Sequence, residues 1–373
     1  MKEKRKKKIA FMGIKGLPSK GGAERVVEAI VGSLEDDLDI SVYCSKAYSK
    51  DHQDDNINLI KLPNLKGKHL SSFSLFVMSA FHALLFRRYD LVHVHNTDAG
   101  FIVPLLRLRY KIVGTCHGFP YKREKWGLLA RSFLRCSEAL FFKLCNAVTC
   151  VSSSLSDELN GKHSKKIYYI PNGVETVQCE KDYTLVEKFA LTGQEYICFA
   201  AGRVDPTKGC HTLLKAFESV SRDIKLVVIG DFSHKKGYSQ ELFQMADERV
   251  IFIPFVESKE RLFGIIENSK IFVLPSTVEA MSMLLLEAAG LGVPSICSDI
   301  PENVSVLKEY GVYFSTGNAE DLTRKIKSCL DNYENAVQLS GRAKEWIGEE
   351  YRWQDISKKY EIIYDSLLQL GRS

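Results

Sequence analysis

Short apolar runs alternate with longer helical patterns along nearly the whole chain. In the first half, Lys8–Met12, Ile40–Cys44, Asn58–Leu62, Leu91–His95, Lys111–Cys116 and Ala147–Val151 read as strands. Helices are predicted at Gly22–Ser33, Ser72–Arg87 and Leu128–Leu144. In the second half, strands are predicted at Tyr196–Ala200, Lys225–Gly230, Val250–Pro254, Ile271–Leu274 and Pro294–Ser298. Helices fall at His211–Val220, Lys259–Asn268, Met283–Gly290, Pro301–Glu309 and Ala319–Asn332, and a last amphipathic helix at Trp353–Leu370. Strands that are apolar throughout, each followed by a helix, imply parallel sheets covered on both faces. A break near Asn172 to Tyr196 divides the pattern, which predicts two Rossmann-like α/β domains. Ligands bind at the carboxyl ends of such strands, so an active site between facing domains is expected.

The length fits this reading, since 373 residues suit two cores better than one. Hydrophobic content of 45% and charged content of 26% are ordinary for a globular protein. Ten Cys occur without a C-x-x-C pair, and Cys44, Cys116, Cys150 and Cys198 lie inside apolar runs. They read as buried, reduced thiols of a cytoplasmic protein, not as a disulfide or zinc framework. The basic start leads straight into a strand, without the cleavage site of a signal peptide.

Net charge is +5 but unevenly placed. Lys2, Lys4, Arg5, Lys6, Lys7 and Lys8 crowd the start against Glu3 alone. Such a run is either a solvated tail or a contact with an anionic membrane at the inner face of the cell. No nucleic-acid module accompanies it, so nucleic acid is not an expected partner. Leu70–Phe86 carries no Asp, Glu, Lys or Arg. It is short for a spanning helix, which needs ~20 apolar residues, and reads as a core helix before a membrane-contacting one.

Two segments carry candidate chemistry. In the stretch from Phe272 to Gly290, a strand ends at Pro275 and Ser282 is a good N-cap. Glu279 falls in the loop before the cap and Glu287 on the second helical turn, with free first-turn N–H groups between them. Carboxylates that accept from hydroxyls, beside N–H groups that bind phosphate, suit a sugar joined to a nucleoside diphosphate. An acidic helix without function is the plain alternative. Upstream, Tyr196–Gly209 is a strand followed by Gly202, Arg203 and Lys208. An Arg fork and a Lys point charge can balance the roughly two charges of a pyrophosphate. Neither a P-loop nor the G-x-G-x-x-G dinucleotide fingerprint is present, which disfavours a nicotinamide dehydrogenase.

Gly202-Arg-x5-Lys208-Gly together with Glu279-x7-Glu287 resembles the retaining, GT-B-type glycosyltransferases of family 4, also called group 1. Gly21-Gly22-Ala-Glu24, His117-Gly118, Ile170–Val174 and Pro294–Asn303 resemble further segments of that family. The resemblance implies a GT-B fold: an N-terminal acceptor-side domain over 1–172, a C-terminal nucleotide-sugar domain over 173–345, and a segment over 346–373 returning to the first. It implies a metal-independent sugar transfer with retention, from a nucleotide-diphosphate-sugar to a glycan or lipid-linked glycan, in cell-surface polysaccharide synthesis and without a cofactor. Arg203 and Lys208 would hold the diphosphate and Glu279 the transferred sugar. Glu287 would hold the ribose. N–H groups of Met281, Ser282, Met283 and Leu284 would complete the phosphate cradle. His117 would sit near donor sugar and acceptor, and Gly21 and Gly22 would face phosphate or acceptor from the first helix. Ala280-Met281 departs from the Gly-Phe that many relatives carry, so the donor sugar is not implied.

Other clusters weigh less. Asp37-x-Asp39 precedes a strand instead of ending one, and reads as a solvated turn. His93-x-His95 puts two imidazoles on one strand face with no evident third ligand. Lys122-Arg123-Glu124-Lys125, after His117, is either a solvated loop or a contact with lipid phosphate. A nucleotide-sugar epimerase on a similar fold, or a non-catalytic sugar-nucleotide binder, remains an alternative to transfer.

Overall fold

The computed structural model describes residues 5–19, 21–49, 57–67, 70–118, 127–174, 181–221, 223–233 and 235–369. The chain divides into two compact units, Met1–Asn172 with Trp353–Ser373, and Gly173–Arg352.

Unit 1 contains β1 (Lys7–Met12), α1 (Gly22–Val31), β2 (Leu38–Ser45), β3 (Asn58–Leu62), α2 (Leu70–Phe86), β4 (Leu91–His95), α3 (Val103–Leu106), β5 (Lys111–Cys116), α4 (Leu128–Leu144), β6 (Ala147–Cys150), α5 (Ser153–Lys162) and β7 (Ile167–Tyr169). Its sheet has the order β3-β2-β1-β4-β5-β6-β7, with every pairing parallel. β1, β4 and β5 are central and nearly wholly buried, which is why they read as continuous apolar runs. β7 escapes the sequence pattern because it is an edge of three residues with Tyr168 and Tyr169 exposed.

Unit 2 contains α6 (Thr184–Lys188), β8 (Tyr196–Ala201), α7 (Cys210–Phe217), β9 (Lys225–Gly230), α8 (Lys236–Met245), β10 (Val250–Pro254), α9 (Lys259–Glu267), β11 (Ile271–Leu274), α10 (Met283–Leu291), β12 (Ser295–Ser298), α11 (Pro301–Leu307), β13 (Val312–Phe314), α12 (Ala319–Asp331) and α13 (Tyr333–Glu350). The sheet order is β10-β9-β8-β11-β12-β13, again all parallel. Each sheet reverses its direction of growth once, between β1 and β4 and between β8 and β11. A crevice opens at such a switch point, outside the carboxyl ends of the two strands.

The final helix, α14 (Trp353–Gln369), belongs to unit 1. Ile356, Tyr360, Ile363 and Tyr364 are buried, a single stripe at helical spacing. Lys7 pairs with Asp365 at 2.5 Å, and the Glu35 N–H donates to Glu361 at 2.9 Å. The segment returning to unit 1 therefore begins at Trp353, not at 346. Residue 346 lies inside α13, where the Trp346 indole N–H donates to Val306 O at 3.0 Å and ties that helix to unit 2.

The basic start is also not a free tail over its described part. Lys7 and Lys8 lie in β1, and Arg5 and Lys8 pair with Asp90 and Asp39 at 3.2 and 3.4 Å. Lys2 and Lys4 lie outside the described residues.

Tyr364 fastens α14 to the sheet through its hydroxyl, 2.8 Å from Nδ1 of the buried His93. Tyr364→Phe leaves a buried imidazole nitrogen unmet. Urea unfolding is expected to show a loss of about 1–3 kcal/mol, the usual result of stranding a buried polar group.

Candidate active site

Local chemistry fixes the loop after β8. The Asp205 carboxylate accepts the Thr207 N–H at 3.0 Å, Pro206 occupies the first position of a 3₁₀ turn over Pro206–Lys208, and Gly209 closes the turn with φ of 69°. That left-handed backbone suits glycine, and a Cβ there would lie 2.0 Å from the Pro275 carbonyl oxygen. Gly209 thus lets the loop after β8 touch the loop after β11. The Thr277 N–H donates to Thr207 O at 2.8 Å and adds a second tie.

This contact brings the two candidate segments together. Lys208 Nζ donates to Glu279 Oε1 at 2.7 Å, and the two side chains are 27% and 9% exposed. Gly202 and Arg203 precede them on the same loop, both exposed. Among the described residues Arg203 has no ion-pair partner. Ser282 caps α10, its hydroxyl accepting the Leu285 N–H at 3.3 Å. Met281 and Ser282 are buried at this helix start, and Met283 and Leu284 form its first turn, where backbone N–H groups lack helical acceptors. Glu287 follows one turn later at 4% exposure, among Leu285, Leu286, Ala288 and Ala289. A carboxylate so buried is not part of a solvated acidic face. Behind this loop, Asn303 donates to Ser298 Oγ at 3.0 Å, and Ser298 donates to Ser276 O.

Lys208, Glu279 and the 281–284 helix start are therefore brought together beyond the ends of β8 and β11, with Gly202 and Arg203 earlier on the same loop as Lys208 and Glu287 one turn into α10. The sequence pattern names the charged residues but misses the stitch of Gly209 to Pro275 and Thr277 to Thr207. The Thr-Lys-Gly order at a helix start is its one visible sign. A cavity of about 730 Å³ in the same unit lies instead at the end of β10, where Lys181, Ile253, Phe255, Ser258 and Arg261 help line it.

Gly21, Gly22 and His117 lie in unit 1. Gly21 is the N-cap of α1, and space around Gly22 is open. Glu24 turns back to accept the Lys15 N–H at 3.2 Å, so it orders the loop after β1. His117 directly follows β5 and is partly exposed. Its Nε2 lies 2.9 Å from His95 Nδ1. Beside that pair, His93 Nε2 is 2.6 Å from Thr115 Oγ1, which is 2.7 Å from Thr149 Oγ1. Burial depresses all three imidazoles: His93 to about 3, His117 to about 4, and His95 well below its usual value, with neighbouring imidazoles adding to the effect at His93 and His95. They are neutral at pH 7 and form a packed hydrogen-bonded strand end. Asp39 is paired with Lys8, and residues 122–125 lie outside the described residues.

The family model for Glycosyl transferases group 1 matches residues 184–346, and that for Glycosyltransferase Family 4 matches 20–178. The chain belongs to the group 1 glycosyltransferases. It is 23% identical to an Escherichia coli O-antigen biosynthesis glycosyltransferase, WclY, over 76% of this chain and 81% of that one. It is also 23% identical to the E. coli UDP-Gal:alpha-D-GlcNAc-diphosphoundecaprenol alpha-1,3-galactosyltransferase, over 81% and 82%. Among solved structures, Anabaena Alr3699/HepE in complex with UDP and glucose is similar, with a TM-score of 0.80, 18% identity, and coverage of 96% of this transferase and 100% of that chain. The two parallel-sheet units are those of the GT-B fold.

The lowered pKa values of buried His93 and His95 and of packed His117 predict that the transferase loses stability in acid. Their folded pKa values lie below the unfolded value of about 6.5, so the unfolded chain binds more protons as pH falls from about 6.5 toward 4. Stability is full above that window and declines within it, by up to about 1.4 kcal/mol per pH unit for each histidine. The urea midpoint should drop between pH 7 and pH 5, before most carboxylates titrate. A flat profile contradicts this reading.

Proposed function

We propose that this glycosyltransferase moves a sugar, with retention and without a metal ion, from a nucleotide-diphosphate-sugar to a glycan or lipid-linked glycan at the inner face of the cell membrane. The observation that carries the reading is the Lys208–Glu279 pair at 2.7 Å, set beside the capped start of α10. Before the donor arrives, the two charges satisfy each other. A diphosphate then draws the ammonium, and sugar hydroxyls become donors to the carboxylate. Arg203 adds a second cation, and the first-turn N–H groups of α10 add partial positive charge. Charge that grows on the departing nucleotide meets fixed cations, which is electrostatic stabilisation of the transition state. These cations supply the neutralisation that a divalent ion would otherwise give. Glu287 accepts from ribose hydroxyls. In unit 1, neutral His117 and the Gly21–Gly22 turn serve the donor sugar and acceptor, as the family resemblance implies.

The substrates in the galactosyltransferase relative's name, UDP-Gal and a diphosphoundecaprenol-linked GlcNAc, support a nucleotide-sugar donor and a lipid-linked acceptor. The O-antigen role in the other relative's name supports polysaccharide synthesis. Nucleotide release that depends on acceptor distinguishes transfer from sugar epimerisation and from mere binding.

Lys208→Ala and Arg203→Ala should each lower kcat/KM for nucleotide release by about 10²–10³, the scale of removing one transition-state donor. Wild-type turnover in Lys208→Ala contradicts the assignment. Dialysis against EDTA should leave the rate unchanged, and NMR of the product should show the donor's anomeric configuration. A metal requirement or an inverted product overturns the corresponding part.

A further inference from the structure

A surface helix of a water-soluble domain ordinarily turns polar residues outward. α2 does not. Its inner side, with Leu75, Phe76, Ala80 and Ala83, packs into the core of unit 1. Its outer side is also apolar: Leu70, Phe73, Met78, Phe81, Leu85 and Phe86 are all exposed, Leu85 and Phe86 at 69% and 72%. No charged side chain interrupts these 17 residues. The helix has an apolar stripe on each side, and only one of them is buried.

The outer stripe extends onto α4. Phe73 stacks on Phe101 with centroids 4.9 Å apart, and Phe133 of α4 meets these rings at 6.0 and 5.3 Å. α4 opens with Leu128 and Leu129, which are 84% and 90% exposed. Two helices thus share one apolar face, joined by three aromatic rings. Contiguous exposed apolar surface of this kind marks an interaction site.

Charge selects the partner. Between Asp55 and Asp90 the only charged residues are Lys61, Lys66, Lys68, Arg87 and Arg88, five cations and no acid. Lys66 precedes α2, and Arg87 and Arg88 follow it, all exposed. Within α4, Arg131 and Arg135 come before the first acid, Glu138. A second copy docking through the same face would bring two basic rims together, which like-charge repulsion disfavours. An anionic lipid bilayer meets both features, since acyl chains take the apolar side chains and headgroups take the cations. No helix of the described residues is long and apolar enough to cross a membrane, so the contact is interfacial.

We propose that the α2–α4 face of unit 1 is a docking surface for anionic membrane lipid, with Phe81, Leu85, Phe86 and Leu129 entering the bilayer boundary and Lys66, Arg87 and Arg88 binding headgroups. The test uses neither donor nor acceptor, so it stands apart from the transferase reading. Full-length protein is sedimented with phosphatidylcholine vesicles containing about one-third phosphatidylglycerol, and with phosphatidylcholine alone, at about 0.1 M and about 0.5 M salt. Binding should favour the anionic vesicles about tenfold or more and weaken at the higher salt. F81S/L85S/F86S should reduce it by about tenfold or more, because each lost apolar contact is worth a severalfold change in partition. R87Q/R88Q should also weaken it at the lower salt, and Tm should stay within a few degrees in both variants. No binding to anionic vesicles by the wild type, or unchanged binding by the folded triple variant, overturns the proposal. So does a dimer in sedimentation velocity that depends on the same three residues and excludes vesicles.

Discussion

The proposed site rests on one close approach. Two loops from neighbouring strands, β8 and β11, touch where Gly209 faces the Pro275 carbonyl. A Cβ would not fit there, so backbone geometry, more than side-chain packing, decides whether Lys208 and Glu279 can meet. Asp205 and Pro206 hold the first loop in its turn, and Ser282 starts the helix that follows the second. The two charges are held at one place before any ligand comes, so in the proposed reaction they need only exchange partners. The topology explains the location: β8 and β11 flank the reversal of strand order, where no crossover covers the strand ends.

Unit 1 repeats this topology with different chemistry at its strand ends. There β1, β4 and β5 end in glycine turns and neutral imidazoles instead of charges. The Asn96 amide donates to Gly13 O at 3.0 Å, and a Cβ at Gly13 would lie 1.9 Å from His95 O, so these strand ends also need a glycine to come together. His95 supports His117 from below, and His93 links the same layer to Tyr364 of the last helix. The C-terminal helix is therefore part of what holds His117 at its strand end.

Much of this could be read from residue order. Buried central strands such as Leu91–His95 and Lys225–Gly230 have unbroken apolar runs, and Arg203, Lys208, Glu279 and Glu287 stand out as charges among apolar or glycine-rich neighbours. Short edge strands β7 and β13 carry too few residues for a period to show. α5 and α13 are polar along most of their length, which hides their helical stripe. The tie from Thr277 to Thr207 joins residues 70 apart, the Thr277 N–H and hydroxyl both donating to the Thr207 carbonyl, which sequence does not display. His93-x-His95 reads as a packed strand end from sequence, but its partners Thr115 and Tyr364 come from another strand and a distant helix. The exposed outer face of α2 is hidden in the sequence, because a helix apolar on every side has the pattern of a core helix.

The central claim is that Lys208 and Glu279 act as one unit on the donor. A double-mutant cycle on nucleotide release, with Lys208→Ala, Glu279→Ala and the pair, tests it most directly. Acting together, the two substitutions should fall short of the sum of the single effects by about 1 kcal/mol or more, as residues in contact do. Effects that add to within about 0.3–0.5 kcal/mol, as for independent sites, would contradict the account.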